Sequence, residues 1–558
     1  MTSVNPIRPV LTMSRGQQWT LAVSCLAVAL VIGSMAALYT SLSDIATDTG
    51  ATQIQLTWIV DAYTLAVACL VLPAGAVGDR YGRREVLIGG LLLFSTASVV
   101  PLFIQDPVWL IAARAVAGVG AAFVMPSTLS IMTAEFEDRH RNRAVAIWAG
   151  VAGSGGILGI LCSGLLLQHW SWKSVFVGLT AAGLVLFIAA LTLPKSREYA
   201  HPAMDYLGGA VVAVAIGLFV IGLIEAPQRG WTDPVVLSLF VGGAAASVAF
   251  VVVELRRKHP LLDLRLFADR GFGSGTWAIT LQFLVLFGVF YLLIQYLQLV
   301  VGYEPLGSAL ALGPVIVPIV GISLVAPWLA EQLGLRMLTV SGLLAIAAGL
   351  SLASRLDVDS SYTEFLWALL AMGTGLGLCM APATAAIVAA TPAEKHGVAA
   401  AVNDAAREVG AAIGIAIAGS VLAAGYTSRI ELATARLPPP VRQLVSDSLA
   451  AALKAADQSG PTGGQLPHVA KSAFIHGYGQ AGVVLSIITL VGALVVAVWA
   501  PARRRTNQVS SETCSDPLVS GRHGPPDAHT DKDGVPIAYD QGVPTSGRWH
   551  TQTFKDPK

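Results

Sequence analysis

The sequence predicts an all-α integral membrane protein, built from two six-helix bundles with two further transmembrane helices inserted between them. Of its 558 residues, 54% are hydrophobic and only 12% are charged, which is about half the charged fraction of an ordinary soluble domain. Apolar runs of roughly twenty residues, long enough to cross about 30 Å of hydrocarbon as helices, recur about fourteen times. Fragments of the first half reappear in the second half, which indicates a duplicated bundle.

The apolar runs set the order of the predicted helices. We expect the first run, centred near Ala29, to be a transmembrane helix and not a cleaved signal peptide, because no cleavage site follows it and the next span begins at once. The other runs are centred near Leu65, Leu93, Ala121, Leu158, Gly183, Ala215, Ala245, Leu286, Val317, Ala345, Leu376, Ala412 and Ile487. The runs near Ala215 and Ala245 fall between the repeated halves and are therefore predicted to be an insertion.

These runs divide the chain into segments. We predict a cytoplasmic N-terminal segment at 1–17, a first six-helix bundle at 18–194, a linker with two extra transmembrane helices at 195–270, a second six-helix bundle at 271–500 and a tail at 501–558. A loop at about 427–471, predicted to be extracellular, interrupts the second bundle. The tail is polar and lacks periodicity, so we expect it to be disordered.

Basic residues fall in alternate loops between the spans. These residues are Arg80, Arg83 and Arg84; Arg139, Arg141 and Arg143; Lys195 and Arg197; Arg256, Arg257 and Lys258; and Arg503 to Arg505. Because short cytoplasmic loops hold an excess of Lys and Arg, we expect a multi-pass plasma-membrane protein with both termini in the cytoplasm. The basic residues of 427–471 do not change this prediction, since long loops cross the membrane largely regardless of charge.

Composition and motifs exclude several other classes of protein. The formal net charge is +1, which gives no electrostatic reason to bind nucleic acid. Cys25, Cys69, Cys162 and Cys379 lie inside apolar spans, and no spacing matches a disulfide framework or a metal site. The sequence also contains no phosphate-binding loop motif. We therefore expect a monomer that is not an enzyme, holds no cofactor or metal, and is driven by an ion gradient.

Two sets of residues reveal the repeat. AGAVGDRYGRR at Ala74–Arg84 has a counterpart in APWLAEQLGLR at Ala326–Arg336. Three glycines of the first half also align with three of the second at a nearly constant offset of about 250 residues. They are Gly155, Gly159 and Gly164, matched by Gly410, Gly414 and Gly419. Their spacing places each trio on roughly one helix face, which suits close static packing and also helices that slide or rock. Parallel repeats put a transport pathway at their interface.

The repeat breaks down where the second half carries charge. The charged and amide positions, in AVNDAAREVG, are Asn403, Asp404, Arg407 and Glu408. The aligned residues of the first half are small or aromatic. One helical turn brings the two acids and the arginine together, and two acids this close in low dielectric resist ionising together. The cluster therefore suits transfer of a proton; the alternative is a buried ion pair that locks two helices.

Asp61, in LTWIVDAYTL, is the matching anomaly of the first half. An acid near the middle of a span costs about 2.5–3.5 kcal/mol on insertion scales and usually faces a bundle interior or an aqueous cavity. We interpret Asp61 as a proton carrier; the alternative is a carboxyl capped by neighbouring Thr or Tyr hydroxyls. Arg114, in another span, either pairs with Asp61 or lies near the extracellular end of its span. Aromatic residues that either line a cavity for flat or cationic ligands or simply pack are Trp58, Tyr63, Phe283, Tyr291 and Tyr296.

The segment GAVGDRYGRREVL, from Gly75 to Leu87, resembles the loop signature of the major facilitator superfamily, in which this loop acts as a cytoplasmic gate latch. The residues that carry the likeness, with the adjoining arginine, are Gly75, Asp79, Arg80, Gly82, Arg83 and Arg84. WIVDAYTL, RAVAGVGAAFVMPSTLSI, HPLLDLRLFADRGF, YLQLVVGYEPLGSALALGPVIVPI and NDAAREVG further resemble the fourteen-span drug:proton antiporters. The resemblance implies the major facilitator fold and export of drugs, quaternary ammonium compounds and antibiotics among them, by alternating access.

Three positions depart from the pattern of that family. It usually has an Asp in its first span, where this chain has Ser34. It also has a Pro after Gly159, where this chain has Ile160, and a Gln before Gly118, where this chain has Ala117. Coupling stoichiometry and substrate charge therefore stay open.

We expect a secondary transporter that exports hydrophobic small molecules, cationic ones included, in exchange for protons. The protonatable groups would be Asp61, Asp404 and Glu408. One alternative is a proton-coupled importer of a small metabolite. Another is a membrane sensor or scaffold that has lost transport, for which the serine in place of the first-span acid is the only hint.

Overall fold

The structure, a computed structural model, describes residues 13–501 except 137, 195–204, 258–259, 392–395, 435–441, 443–444, 447 and 460–464. Within the described residues, the regular secondary structure is helical and contains no β-strand. The predicted tail, from 502 onward, lies outside the described residues, as do residues 1–12 of the predicted N-terminal segment.

The helices follow one another with short connections. Those of the first half are α1 (Arg15–Ala37), α2 (Leu42–Thr49), α3 (Gln53–Tyr81), α4 (Arg83–Phe103), α5 (Pro107–Glu135), α6 (Asp138–His169) and α7 (Lys173–Ala190). The inserted pair is α8 (Tyr206–Arg229) and α9 (Pro234–Arg256). Those of the second half are α10 (Arg270–Gln295), α11 (Pro305–Leu312), α12 (Ile316–Leu333), α13 (Leu335–Ala353), α14 (Tyr362–Ala389), α15 (His396–Thr434), α16 (Leu449–Ser459) and α17 (Leu466–Trp499). A π-helical turn, Tyr296–Val301, continues α10.

Short-range signals explain where the helices begin and end. Capping boxes formed by Ser14 with Gln17 and by Thr52 with Gln55 start α1 and α3. Each box satisfies two backbone N–H groups that would otherwise lack a partner at the start of the helix. At the other end of α3, Gly82 adopts φ 108°, a conformation that favours glycine and turns the chain into α4.

The two halves repeat one packing arrangement. In the first half, α1 packs against α5, α6 and α7, and α4 packs against α5 and α7. In the second half, α10 packs against α14, α15 and α17, and α13 packs against α14 and α17. Gly334, which the sequence aligns with Gly82, also has a positive φ, 82°, and follows α12 as Gly82 follows α3. The duplication is therefore visible in the helix pairing and in the turn.

The helices run in alternating directions, so the turns between them gather at two ends of the bundle. We call the end with the turns at Gly50, Gly230 and Gly302 the upper end. The end with the turns at Gly82 and Gly334 is the lower end. Thr52 starts α3 at the upper end, whereas the gate-latch motif lies at the lower end.

Thirteen helical segments of the described chain are long and apolar enough to cross a bilayer. The sequence predicts about fourteen spans, and the difference lies in α6. This helix has 32 residues, but its apolar part is only the shorter stretch Ser154–His169. It packs on α1 as α15 packs on α10, so it holds the place of a span in the repeated bundle.

The inserted helix α8 lies against both halves. Val220 and Ile224 are fully buried in a cluster with residues of α3 and α15. The Ser420 hydroxyl of α15 donates to the Leu223 carbonyl at 2.6 Å. Pro227 has no N–H to bond that carbonyl within the helix, so the carbonyl is free to accept from Ser420. Helix α8 thus covers the seam between α3 and α15, and α9 packs on its outer side.

The segment predicted as a loop at 427–471 is partly helical. Helix α15 continues to Thr434, α16 covers Leu449–Ser459, and α17 begins at Leu466. Lys454 of α16 donates to the Thr47 carbonyl of α2. Helix α16 therefore lies over the upper end of the first half.

Candidate functional site

Asp61 is buried in α3 without a partner. Its side chain is 0% exposed, and neither carboxylate oxygen has a hydrogen-bond partner in the described structure. The alternative of a carboxyl capped by neighbouring hydroxyls is therefore not what the geometry shows. Tyr39, just after α1, and Tyr291, in α10, lie close enough to interact with it electrostatically. An unpaired buried carboxylate is costly, so the position favours a bound proton or a bound cation.

Arg114 of α5 is 2% exposed, and no ion pair joins it to Asp61 in the described structure. Its Nη1 and Nη2 donate to the hydroxyl and the backbone carbonyl of Ser34, at 3.0 and 3.2 Å. Its Nε donates to the Ile59 carbonyl at 3.3 Å, and its guanidinium lies 4.1 Å from the centroid of the Tyr63 ring. It lies about two turns below the start of α5 at the upper end. Of the two alternatives from the sequence, pairing with Asp61 is thus not observed.

Ser34 occupies the position at which the resembled family carries an acid, and it faces the Arg114 guanidinium directly. A carboxylate there would reach the same donors and form a buried ion pair. With serine, the guanidinium is held by a hydroxyl, two carbonyl oxygens and an aromatic ring. Among the described residues of the first half, the buried Arg114 and the buried Asp61 therefore do not form an ion pair.

Tyr39 is a site residue that the sequence did not single out. Its ring meets Tyr291 edge-on, with the centroids 6.2 Å apart, and its hydroxyl donates to the Phe287 carbonyl at 3.5 Å. The Tyr291 hydroxyl shares a 2.9 Å hydrogen bond with Thr57 and accepts another, also 2.9 Å, from Gln53 Nε2. These contacts join the two halves beside the buried acid. A tyrosine shortly after a first span is too common a feature to reveal this role in the sequence.

The other two aromatic candidates of the first half support the site. Trp58 Nε1 donates to Glu225 Oε1 of the inserted helix α8 at 3.3 Å. The Tyr63 hydroxyl donates to the Val31 carbonyl at 2.9 Å while its ring lies against the buried arginine. Trp58 therefore attaches α3 to the insertion, and Tyr63 holds the arginine in place.

The cluster predicted in the second half lies on α15. Asn403, Asp404 and Glu408 are 7%, 6% and 4% exposed. The Asn403 amide oxygen, in the orientation that satisfies its hydrogen bonds, accepts from Arg407 Nε and Nη2 at 3.2 and 3.3 Å. The Arg407 guanidinium lies 5.2 Å from the centroid of Phe283. It is within electrostatic range of both acids, but no ion pair joins it to either in the described structure.

Glu408 completes a second site that faces the first half. Its Oε2 has no hydrogen-bond partner in the described structure. The side chain interacts electrostatically with Tyr63 across the interface. The alternative of a locking ion pair on α15 is therefore not observed. Asp61 and Glu408 each have a carboxylate oxygen without a hydrogen-bond partner in the described structure, and they lie on α3 and α15, the two helices that meet at the seam under α8.

The aligned glycine trios of α6 and α15 make the close helix contacts that their spacing predicts. A Cβ at Gly159 would lie 2.2 Å from the Gly33 carbonyl oxygen, and a Cβ at Gly414 would lie 2.0 Å from the Leu284 carbonyl oxygen. The first glycine of each trio, Gly155 or Gly410, packs against the same neighbouring helix, α1 or α10. A side chain at Gly159, Gly410 or Gly414 would require the backbone to move, whereas one at Gly155 would require only a small shift of Ile32.

The third glycine of each trio contacts the opposite half. A Cβ at Gly164 would lie 3.1 Å from Leu306 Cα of α11, and a Cβ at Gly419 would lie 2.4 Å from the Thr57 hydroxyl of α3. Both contacts lie toward the upper end. The repeat therefore supplies matching close contacts on the two seams between the halves.

Hydrogen bonds also join the halves at the upper end. The Ser43 hydroxyl donates to Gln298 Oε1 at 2.7 Å, and Gln298 Nε2 donates to the Thr40 carbonyl at 2.9 Å. Together with the Tyr291 network and the Lys454 contact to α2, these bonds link the two halves across the upper end.

The predicted gate residues lie at the lower end. Arg83 donates to the Ser130 carbonyl of α5 at 2.9 Å. Arg84 donates to carbonyls at the end of α7, one of them at 3.3 Å. Arg80 is exposed, and Gly75 packs near α5. The side chain of Asp79 lies outside the described part. Arg83 and Arg84 therefore tie the start of α4 to α5 and α7 of its own half.

Comparisons with known proteins identify the family. The sequence profile described as Major Facilitator Superfamily matches residues 24–415. The methyl viologen resistance protein SmvA of Salmonella typhimurium is 32% identical over 506 residues, covering 88% of this chain and 100% of the relative. The multidrug efflux pump LfrA of Mycolicibacterium smegmatis is 31% identical over 495 residues, covering 88% and 98%.

A solved structure shares the fold. A bacterial homologue of the human lysosomal transporter Spinster, in an inward-facing and unoccupied conformation, has a TM-score of 0.61 to this chain. The match covers 88% of this chain and 100% of that one, at 15% sequence identity. Sequence and fold thus agree that the chain belongs to the Major Facilitator Superfamily, a family of membrane transporters and not of enzymes.

Proposed function

We propose that the protein exports hydrophobic compounds, cationic drugs among them, from the cell in exchange for protons. The observation that carries this proposal is Asp61, a fully buried carboxyl without a partner at the interface between the halves. A protonated carboxyl is neutral and is tolerated there, whereas an ionised one needs a cation beside it. The side chain can therefore hold a proton or a cationic group in turn, as exchange requires.

The acids of α15 supply a second protonatable site. Glu408 is buried with one free oxygen, and Asp404 lies one turn away. Arg407 is held by Asn403 and Phe283 and does not form an ion pair with either acid. We assign these acids to coupling together with Asp61, so that each half contributes a proton site to the cycle.

The names of the relatives support drugs as the substrate class. SmvA is named for methyl viologen resistance and LfrA as a multidrug efflux pump. Methyl viologen is a flat aromatic dication. The rings of Tyr39 and Tyr291 lie near the buried carboxyl, so the aromatic surface and the negative charge that such an ion prefers are close together. Cationic aromatic compounds are therefore the substrates that we would test first.

The closed upper end supports alternating access. The basic loops favour an orientation with the lower end in the cytoplasm and the upper end outside. In that orientation the contacts at the upper end seal the site from the exterior, as in an exporter that awaits substrate from inside. In a variant whose native cysteines are replaced, a cysteine at Asp457→Cys, an exposed position of α16, should accept an impermeant thiol reagent from outside. Labelling from the inside alone would overturn the orientation.

Efflux of a fluorescent cationic dye from loaded cells tests the function. Cells that express the protein should lose dye faster than cells with an empty vector, and an uncoupler that collapses the proton gradient should abolish the difference. An importer would instead raise dye accumulation until the uncoupler is added. A sensor or scaffold would leave dye movement unchanged.

A further inference from the structure

A second concave surface lies on the periphery of the second half, away from the Asp61 site. It is a groove of about 650 Å³ between α13 and α14. Its wall is mainly apolar, with Leu352 on α13 and Trp367 and Leu370 on α14. Trp367 is 61% exposed and Leu352 is 43% exposed, so the groove presents a large apolar surface to its surroundings.

The groove faces away from the transport pathway. Trp367, Leu370 and Thr374 share one side of α14 by helical spacing. The opposite side carries the fully buried Leu369 and also Phe365, whose ring stacks on Tyr296 at the end of α10, with centroids 6.3 Å apart. Because α10 lies on the side of the interface between the halves, the groove opens toward the membrane.

The length of the groove matches one leaflet of a bilayer. Its lining on α14 runs from Glu364 to Thr374, a rise of about 15 Å along a helix. Half of a hydrocarbon core of about 30 Å has the same depth. The groove therefore extends from the membrane surface at the upper end to about the middle of the bilayer, as far as one acyl chain reaches.

Two opposite charges stand at the upper rim. Arg355 and Glu364 both line the groove and are exposed, and no ion pair joins them in the described structure. Glu364 accepts a hydrogen bond from Ser361 at 3.3 Å, which leaves most of its acceptor capacity free. The upper rim thus carries one cation, Arg355, and one anion, Glu364, at the depth that we assign to lipid headgroups.

We propose that this groove binds one phospholipid with a primary ammonium in its headgroup. The acyl chain lies between α13 and α14, the phosphate binds Arg355, and the ammonium binds Glu364. Guanidinium matches the geometry of a phosphate, and a primary ammonium has three N–H donors for a carboxylate. A choline headgroup has no N–H to donate, and a glycerol headgroup offers Glu364 no cation. Ethanolamine phospholipid therefore fits the rim better than either.

Fluorescence quenching by brominated lipids tests the site. The chain has 12 tryptophans, so the signal of Trp367 is taken as the difference between the wild-type protein and Trp367→Phe. In mixed micelles, dibromo-phosphatidylethanolamine should half-quench this signal at about a threefold lower mole fraction than the choline or glycerol lipid. Arg355→Ala and Glu364→Gln should each remove the preference. Arg229→Ala, a charge at the upper end outside the groove, should keep it.

A charge reversal guards against variants that merely fail to fold. Glu364→Lys should turn the preference toward the anionic phosphatidylglycerol, a gain that unfolding does not imitate. Equal quenching by the three lipids in the wild-type protein would overturn the proposal. So would a preference that survives both Arg355→Ala and Glu364→Gln. The test does not depend on transport, so its outcome is separate from that of the proposed function.

Discussion

The two halves share their packing but not their charges. In the first half, Asp61 and Arg114 are buried on different helices, and no ion pair joins them in the described residues. In the second half, the acids and the arginine share one turn of α15, and the arginine is held by an amide and an aromatic ring. The aligned glycines, in contrast, make the same close contacts in both halves. A duplicated scaffold has thus kept the contacts that pack it while its ionisable residues have diverged.

Replacing the arginine of each half should produce the largest difference between the halves, in both transport and the yield of folded protein. Arg114→Gln removes three hydrogen bonds and a ring contact at a buried position. Hydrogen bonds to a charged group contribute about 1.5–3 kcal/mol each, so we expect transport and folded protein to fall by more than about tenfold. Arg407 is half-buried, so the Arg407→Gln variant should keep most of the wild-type yield of folded protein. Dye efflux and the yield of monodisperse protein measure both, and equal losses would contradict the difference between the halves.

Matched glycine substitutions test the part that the halves share. Gly159→Ala and Gly414→Ala each place a Cβ within 2.2 Å of a backbone carbonyl oxygen. Overpacking of this kind costs about 1–3 kcal/mol, and we expect thermal stability to fall by a similar amount in both. Gly156→Ala is the control, because its Cβ would lie an ordinary 3.8 Å from Ala36. If one half tolerated the methyl group and the other did not, the packing would not be equivalent.

Ser34→Asp tests the charges of the first half, because it restores the acid that the drug:proton antiporters usually have at this position. The new carboxylate would face the Arg114 guanidinium and neutralise its charge near the substrate path. With less positive charge near that path, we expect the protein to export cationic drugs better relative to neutral ones. Resistance of the cells to cationic drugs should therefore rise by a few-fold compared with resistance to neutral drugs. Ser34→Asn introduces a side chain of the same size as Asp without its charge and should leave the resistance profile unchanged. An unchanged profile in a stable Ser34→Asp protein would reject the idea.

Much of the fold could be predicted because it follows from local patterns. Apolar runs give the spans, since a helix in lipid must satisfy its own backbone. Gly82 and Gly334, which the sequence repeat aligns, both turn the chain with a positive φ. Burial of Asp61 was predictable as well, because an acid in an apolar run either faces the interior or is very costly. The number of spans was less predictable, because the polar start of α6 shortens its apolar part.

The partners of the charged groups could not be predicted in the same way. Which donor reaches Ser34, and which ring lies under Arg114, depends on side-chain directions across three helices. No spacing along one helix encodes that arrangement. Tyr39 was missed for the same reason, since only the docking of α10 beside it gives it a role. The attachment of α8 to α15 likewise rests on a carbonyl freed by Pro227, a signal that is visible only with the partner helix in place.

The most direct measurement is substrate-induced proton movement in proteoliposomes, recorded alongside substrate binding for the wild-type protein, Asp61→Asn and Glu408→Gln. Asparagine keeps the shape of the side chain and removes its titration, so Asp61→Asn should abolish proton-driven accumulation while binding or substrate exchange persists. Asp106→Asn is the control, because it changes an exposed acid at the start of α5 to a residue that also caps helices. If Asp61→Asn still couples fully, proton carriage belongs to the acids of α15, and Asp61 serves recognition or structure alone.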